Sequence, residues 1–205
     1  MSRGILYICH GDKYINEGIL SAKSVKKFCP DLHITFFCDK EVESEFVDDV
    51  KIIKPTCQRS KVNYIYDSPY DETLFLDVDV IVDYPIYDVF DILKRFDLGI
   101  CHDLARKRLR YSRVMPEYSE IPYSFSEVNT GIIVFKKCSN NEELFSFWKT
   151  YHKKYSSHCP WDQPSFRISL WKSNVRYSVM PIEYNIRSTA NRKKQDKLHR
   201  EFGKE

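Results

Sequence analysis

The sequence predicts an α/β fold in a single domain, with a mostly parallel central sheet flanked by helices. Short apolar runs of strand length alternate along the chain with longer stretches of helical apolar spacing, the pattern of strand–helix–strand units. The most apolar run, residues 73–82, lies mid-chain and is apolar on both faces, as in a strand covered from two sides. With 205 residues, 42% apolar and 30% charged, the chain can bury one full core, and no repeat, low-complexity tract or linker divides it.

The elements follow in order. Residues 4–9 form a first apolar run and a candidate strand. Ile15, Ile19, Ala22, Val25 and Phe28 then recur at steps of three and four, one stripe of an amphipathic helix that Pro30 closes. Residues 34–38 and 50–53 read as the second and third strands, and 60–66 as a short helix ended by Ser68-Pro69. After the strand at 73–82, residues 86–94 read as helix, 98–102 and 128–135 as strands, 142–153 and 163–171 as helices, and 175–180 as a last strand.

Composition excludes several classes. No apolar run approaches the roughly 18 residues that span a bilayer, and the run near the N-terminus is shorter than a signal-peptide core, so no membrane insertion is expected. The seven cysteines are scattered and without a C-x-x-C pair, and no Asn-x-Ser/Thr sequon occurs; both point to reduced thiols and a cytoplasmic location. A net charge of +3 is too small to argue for nucleic acid. Positive charge does gather at Arg106, Lys107, Arg108, Arg110 and Arg113, and again in residues 187–205; each cluster reads either as a solvated face or as a site for an anionic partner.

The chemistry concentrates in Leu74-Phe75-Leu76-Asp77-Val78-Asp79-Val80-Ile81-Val82. On a continuous strand Asp77 and Asp79 project from the same face. Two uncompensated carboxylates among apolar residues would cost several kcal/mol, roughly, and repel one another. A hard divalent cation between them removes both objections, and oxygen ligands select magnesium, calcium or manganese over zinc. The plain alternative is a strand that ends here with its acids facing water. Asp83-Tyr84-Pro85 places the pair near the carboxyl edge of the sheet, where open α/β sheets bind ligands. A cation held by two protein carboxylates keeps open positions for phosphate oxygens, so the pair points to a nucleotide or phosphorylated ligand.

With these residues in place, the sequence resembles the GT-A-fold nucleotide-sugar glycosyltransferases, especially the glycogenin and bacterial galactosyltransferase group. LFLDVDVIV is similar to their D-x-D strand. Other segments resemble the same family in the same order: Cys9-His10-Gly11-Asp12-Lys13-Tyr14 its uracil-binding turn, Lys61 a basic residue near the nucleotide, Val128-Asn129-Thr130-Gly131 its N-x-G strand, Trp161-Asp162-Gln163 the D-Q that opens a helix under the sugar, and residues 180–185 the exit from the last core strand. The likeness covers roughly residues 3 to 187. A looser likeness of texture, to glycosyltransferases of chlorovirus-type algal viruses, implies viral glycan synthesis in a host cytoplasm.

The resemblance implies a metal-dependent transferase that uses a UDP-sugar and a glycan or protein hydroxyl acceptor, with Mn2+ or Mg2+ on Asp77 and Asp79. It implies donor contacts by Cys9, His10, Tyr14, Lys61, Asp77, His102, Asn129, Thr130, Gly131 and Gln163. Asp162 or Asp103 becomes the general base if the configuration inverts, and Asp162 a stabiliser of positive charge if it is retained. The family's third metal ligand, a His in H-x-x-G-x-x-K-P-W, is missing. His199 has the wrong spacing, and the expected position falls beyond Glu205. Either residues 1–205 are the N-terminal domain of a longer polypeptide or water takes the third place. Two alternatives stay open: a phosphatase forming an aspartyl-phosphate on Asp77, against which 76 residues precede that Asp, and a nucleotide-sugar-binding module without turnover.

Overall fold

The computed structural model describes residues 2–55 and 59–186. Seven strands form one sheet in the order β3-β2-β1-β4-β6-β5-β7. These are β1 (Arg3–Ile8), β2 (His33–Cys38), β3 (Asp49–Ile52), β4 (Glu72–Leu76), β5 (Leu98–His102), β6 (Val128–Lys136) and β7 (Tyr177–Met180). Four of the six strand pairings are parallel; β6 runs antiparallel to both β4 and β5. The expected α/β class and mostly parallel sheet are present.

Period-two alternation divides the core. Ile5 and Tyr7 of β1 and Leu74 and Leu76 of β4 face α1 (Asp12–Phe28), meeting Ile15, Ala22 and Val25. Leu6 and Phe75 face the opposite way, towards α5 (Ser139–Tyr155) and α6 (Gln163–Lys172), where Leu144, Trp148 and Phe166 are fully buried. Both faces of the central strands are covered, which is why those strands read as continuous apolar runs. Lys61 opens the short helix α2 (Lys61–Tyr64), and residues 86–94, expected to be α-helical, form a 3-10 helix over Tyr87–Lys94.

Two differences from expectation bear on the site. The strand expected over residues 73–82 ends at Leu76. Its ladders run out there: the last bonds to β6 are the Leu76–Ile132 pairing and Asp77 N–H to Gly131 O at 2.7 Å. Val80 N–H then bonds to Asp77 O at 3.1 Å, closing a turn, and α1 captures the chain beyond it. Ser21 Oγ donates to Val80 O at 2.5 Å and Ser24 Oγ accepts from Val82 N–H at 2.9 Å. Asp77 and Asp79 therefore occupy a turn, and the strand alternation that would put them on one face does not apply.

The second difference is an excursion between β5 and β6, where the sequence signals no element. It carries α3 (Leu109–Ser112) and α4 (Pro116–Glu120) over a satellite core of Tyr111, Met115, Tyr118, Ile121 and Ile168.

Candidate active site

The site is assembled where strand ends meet. β1, β4 and β5 all run in one direction and β6 runs against them, so the C-terminal ends of the first three and the N-terminal end of β6 share one edge of the sheet. A cavity of about 480 Å³ opens there, a volume suited to a small-molecule ligand. Its wall brings together Cys9, His10, Tyr14, Lys61, Asp77 and Asp79, six of the residues singled out from sequence, from three separate segments. Tyr14, half exposed on the first turn of α1, lies outside the core and presents its ring to the opening. Gly11 starts α1 with φ +78°, a conformation open to glycine, and its N–H reaches Asp39 at 3.2 Å.

Lys61 is the centre of charge. It is buried, and its Nζ donates to Asp77 Oδ1 at 2.9 Å and to Thr130 O at 3.0 Å, and lies 3.1 Å from Asp162 Oδ2. Burial alone pulls an ammonium down, but Asp162 and Asp77 outweigh it, so Lys61 stays charged with a raised pKa. Asp162, itself buried, also accepts from Thr130 Oγ1 at 2.7 Å and has Arg59 Nε at 3.5 Å. Burial pushes its carboxyl up, yet Lys61, Thr130 and Arg59 together hold it below the ordinary range. For Asp77, with 36% of the side chain exposed, burial dominates and Asp162 adds to it, so its pKa is raised despite Lys61.

Thr130 reaches this network through a local irregularity of β6. Against β5, Ile100 pairs with Ile133 while the next residue, Cys101, pairs with Asn129; the intervening residues of β6 bulge. Gly131 lies in the bulge. A Cβ there would come within 2.9 Å of Asn129 Oδ1 and 3.0 Å of Asp77 Oδ2, so a side chain at 131 would push these two groups off their present positions. Asn129 Oδ1 accepts from Gly131 N–H at 2.9 Å and Asn129 Nδ2 donates to Gln163 Oε1 at 3.3 Å. Gln163 Nε2 in turn donates to Glu127 Oε1 at 3.4 Å. Asn129, Thr130, Gly131, Asp162 and Gln163 thus stand together behind Lys61.

His102 and Asp103 stand elsewhere. Asp103 is buried and accepts from Arg108 Nη2 and from Ala105 N–H, each at 2.8 Å, bracing the start of the excursion. His102 is exposed, its Nδ1 3.4 Å from Arg106, and burial and that arginine lower its pKa. Neither lines the cavity. His199, and with it residues 187–205, lies outside the described residues.

Sequence reading missed Arg59, Ser60 and Glu17 on the cavity wall and Glu127 behind Gln163. Arg59 carried one usable signal, its place two residues before Lys61. Glu127, fully buried and hydrogen-bonded by the Tyr118 hydroxyl, carried none.

Among the described residues, no three His, Cys, Asp or Glu side chains converge as a complete cation site. The donor set still fits a hard cation: two carboxylates on one turn at the cavity, oxygen donors only, with the remaining positions left to ligand and water. Chemically, the wall offers the half-exposed Arg59 beside carboxylates (Asp77, Asp79), an arrangement that can hold a phosphate through one and a cation or hydroxyl through the other, while the three donors of Lys61 are taken up within the protein.

No protein-family profile and no curated protein matches the chain. Solved structures do. The galactosyltransferase LgtC, solved with donor and acceptor sugar analogs, aligns with TM-score 0.62 at 16% identity over 85% of this chain and 73% of its own. The glycosyltransferase GlyE of Streptococcus pneumoniae TIGR4 aligns with TM-score 0.63 at 16% identity, covering 97% of this chain, which spans half of GlyE. The bifunctional glycosyltransferase WbbM aligns with TM-score 0.61 at 13% identity over 89% of this chain and 39% of its own. No helix among the described residues is long and apolar enough to cross a membrane. The chain has the GT-A fold of these glycosyltransferases.

Proposed function

We propose that the chain is a metal-dependent glycosyltransferase that moves a sugar from a UDP-sugar to a hydroxyl of a glycan or protein acceptor. The observation that carries this reading is the Asp77–Lys61–Asp162 bridge at a nucleotide-sized cavity on the carboxyl edge of a GT-A sheet. The likeness to glycosyltransferases supports it over an aspartyl-phosphate mechanism at Asp77.

In this reading the uracil stacks on Tyr14 beside Cys9 and His10, and the diphosphate lies against Arg59, with Lys61 behind it tying Asp77 to Asp162. Asp79 and Asp77 would hold Mn2+ or Mg2+, which neutralises the diphosphate as it departs. Asp162 is a poor proton acceptor, because three donors keep its carboxylate ionised and engaged. Its fixed negative charge instead suits stabilisation of the positive charge developing at the sugar carbon, the role of a retaining enzyme. Asn129 and Gln163, their amides oriented by Gly131 and Glu127, face the sugar.

A thermal-shift panel of nucleotides with and without Mn2+ tests the ligand class. UDP alone should stabilise the protein, and only with the metal present. Asp79→Asn should abolish that response; unchanged UDP affinity of this variant by calorimetry refutes the metal role.

A further inference from the structure

The basic cluster at 106–113 divides in two. Lys107 and Arg108 serve the fold: Lys107 Nζ donates to Ser119 O at 2.7 Å and Ile121 O at 2.6 Å, and Arg108 pairs with Asp103. Arg106, Arg110 and Arg113 are exposed, and among the described residues none of the three has a carboxylate partner. Arg110 is nevertheless held in place. Its guanidinium lies 4.5 Å from the Trp161 ring centroid and 4.7 Å from that of Tyr111, and Nη2 donates to the Tyr111 hydroxyl at 2.7 Å. Tyr111 is anchored in the satellite core, and its ring packs at 5.9 Å from Trp161, which remains 40% exposed.

A surface arginine without an acid pays rotamer entropy to be ordered, and repulsion from its basic neighbours adds to that cost. Here two aromatic rings fix it while most of its five N–H donors stay without a protein acceptor among the described residues. The place is also informative. The segment leaves the C-terminal end of β5, the edge that carries the Asp77 turn, and Trp161 immediately precedes Asp162. A ligand on this face shares the sheet edge, and the chain neighbourhood, of the carboxylate assigned to the sugar carbon.

Building on the glycosyl-transfer reading, we propose that Trp161, Arg110 and Arg106 form an acceptor subsite for an anionic saccharide. The carboxylate or sulfate of such a sugar is received by the guanidinium fork of Arg110, with Arg106, which sits by His102 on the same excursion, as the second cation, while the exposed part of Trp161 packs on the sugar ring. A planar fork pre-ordered on an aromatic shelf suits a compact oxyanion on a ring better than a long polyanion, for which three arginines are a small footprint.

Calorimetry on the full chain with UDP and Mn2+ present tests this, using an oligogalacturonate trimer, its methyl ester and a sulfated disaccharide. One of the two anionic sugars should bind at least tenfold more tightly than the ester, and which one does identifies the anion. Arg110→Gln and Arg106→Gln should each weaken that binding about tenfold or more, the second serving if the first fails to fold. Equal binding of ester and acid, or full affinity in both variants, overturns the subsite. So does tighter binding of a mixed-sequence RNA 12-mer with a steeper salt dependence, which would make the face a nucleic-acid site. The UDP response of the unmodified chain separates the two readings. Its loss with saccharide binding intact sinks the donor assignment alone, and its presence without saccharide binding sinks the subsite alone.

Discussion

Replacing Lys61 by Met keeps an unbranched stem of similar length and removes the Nζ charge that joins two acids 5.4 Å from the Phe75 ring centroid. The side chains of Lys61 and Asp162 are 7% and 6% exposed, so Asp162 loses its principal counter-ion without gaining water. Stripping one partner from a buried pair costs roughly 3–5 kcal/mol. Asp162 keeps the Thr130 hydroxyl and Arg59 at 3.5 Å, which places the cost at the low end. Asp77 is 36% exposed and screened, adding under about 1 kcal/mol. The expected loss is about 3 kcal/mol, or a fall in Tm of roughly 6–12 °C for a chain of this size. The pH dependence carries a sign. Because the folded pKa of Asp162 is lowered, its stabilisation is present above the ordinary aspartate range and lost as pH falls below that range through the lowered pKa. That stabilisation is largely missing from the variant, and a protonated Asp162 no longer needs Lys61. The gap between the two proteins in urea unfolding should therefore be widest at neutral pH and narrow in acid. A loss below about 1 kcal/mol, or a gap that widens in acid, would refute the account of Lys61 as the internal counter-ion.

Gly131→Ala forces a Cβ against Asn129 Oδ1 and Asp77 Oδ2; it should cost about 1–3 kcal/mol in urea unfolding and weaken Mn2+-dependent UDP binding at least tenfold by calorimetry. Asp97, buried between β5, β6 and β7, has burial outweighed by bonds from Asn140, Arg176 and Lys136 and is brought to about 2. Asp97→Asn should destabilise by about 2–3 kcal/mol at neutral pH, and acid titrations should show the wild type losing that advantage as pH falls from the ordinary aspartate range towards about 2. Glu127 has the opposite sign: burial raises its pKa, so the ionised form carries a cost that grows as pH rises above the ordinary glutamate range. Unfolding of Glu127→Gln across pH should show the variant gaining on the wild type towards neutral pH, and a flat difference would contradict the burial argument.

The fold was largely legible because its periodicities are local. Short apolar runs marked β1, β2 and β6, the stripe from Ile15 to Phe28 marked α1, and a run apolar on both faces marked β4. Motif residues from distant segments were also legible, and the sheet edge gathers them: Cys9, Tyr14, Lys61 and Asp77 around one cavity, Asn129, Asp162 and Gln163 behind it. What misled was local as well. Residues 77–82 are as apolar as the strand before them, and pattern alone continued it. The strand stops because its hydrogen-bonding neighbours do, at the β6 bulge, and because Ser21 and Ser24 hold the chain that follows.

By itself, then, the sequence determined the α/β class, the order of its elements and the residue types available for chemistry, since spacing and side-chain character act between near neighbours. Tertiary structure decided which acid each cation serves. It spent Lys107 and Arg108 on the fold while leaving Arg110 on Trp161, put Asp103 on Arg108, and set Lys61 between Asp77 and Asp162. Those choices depend on desolvation and on approaches of about 2.6 to 4.5 Å between residues 5 to 101 positions apart, distances that exist only once the sheet and its helices have closed.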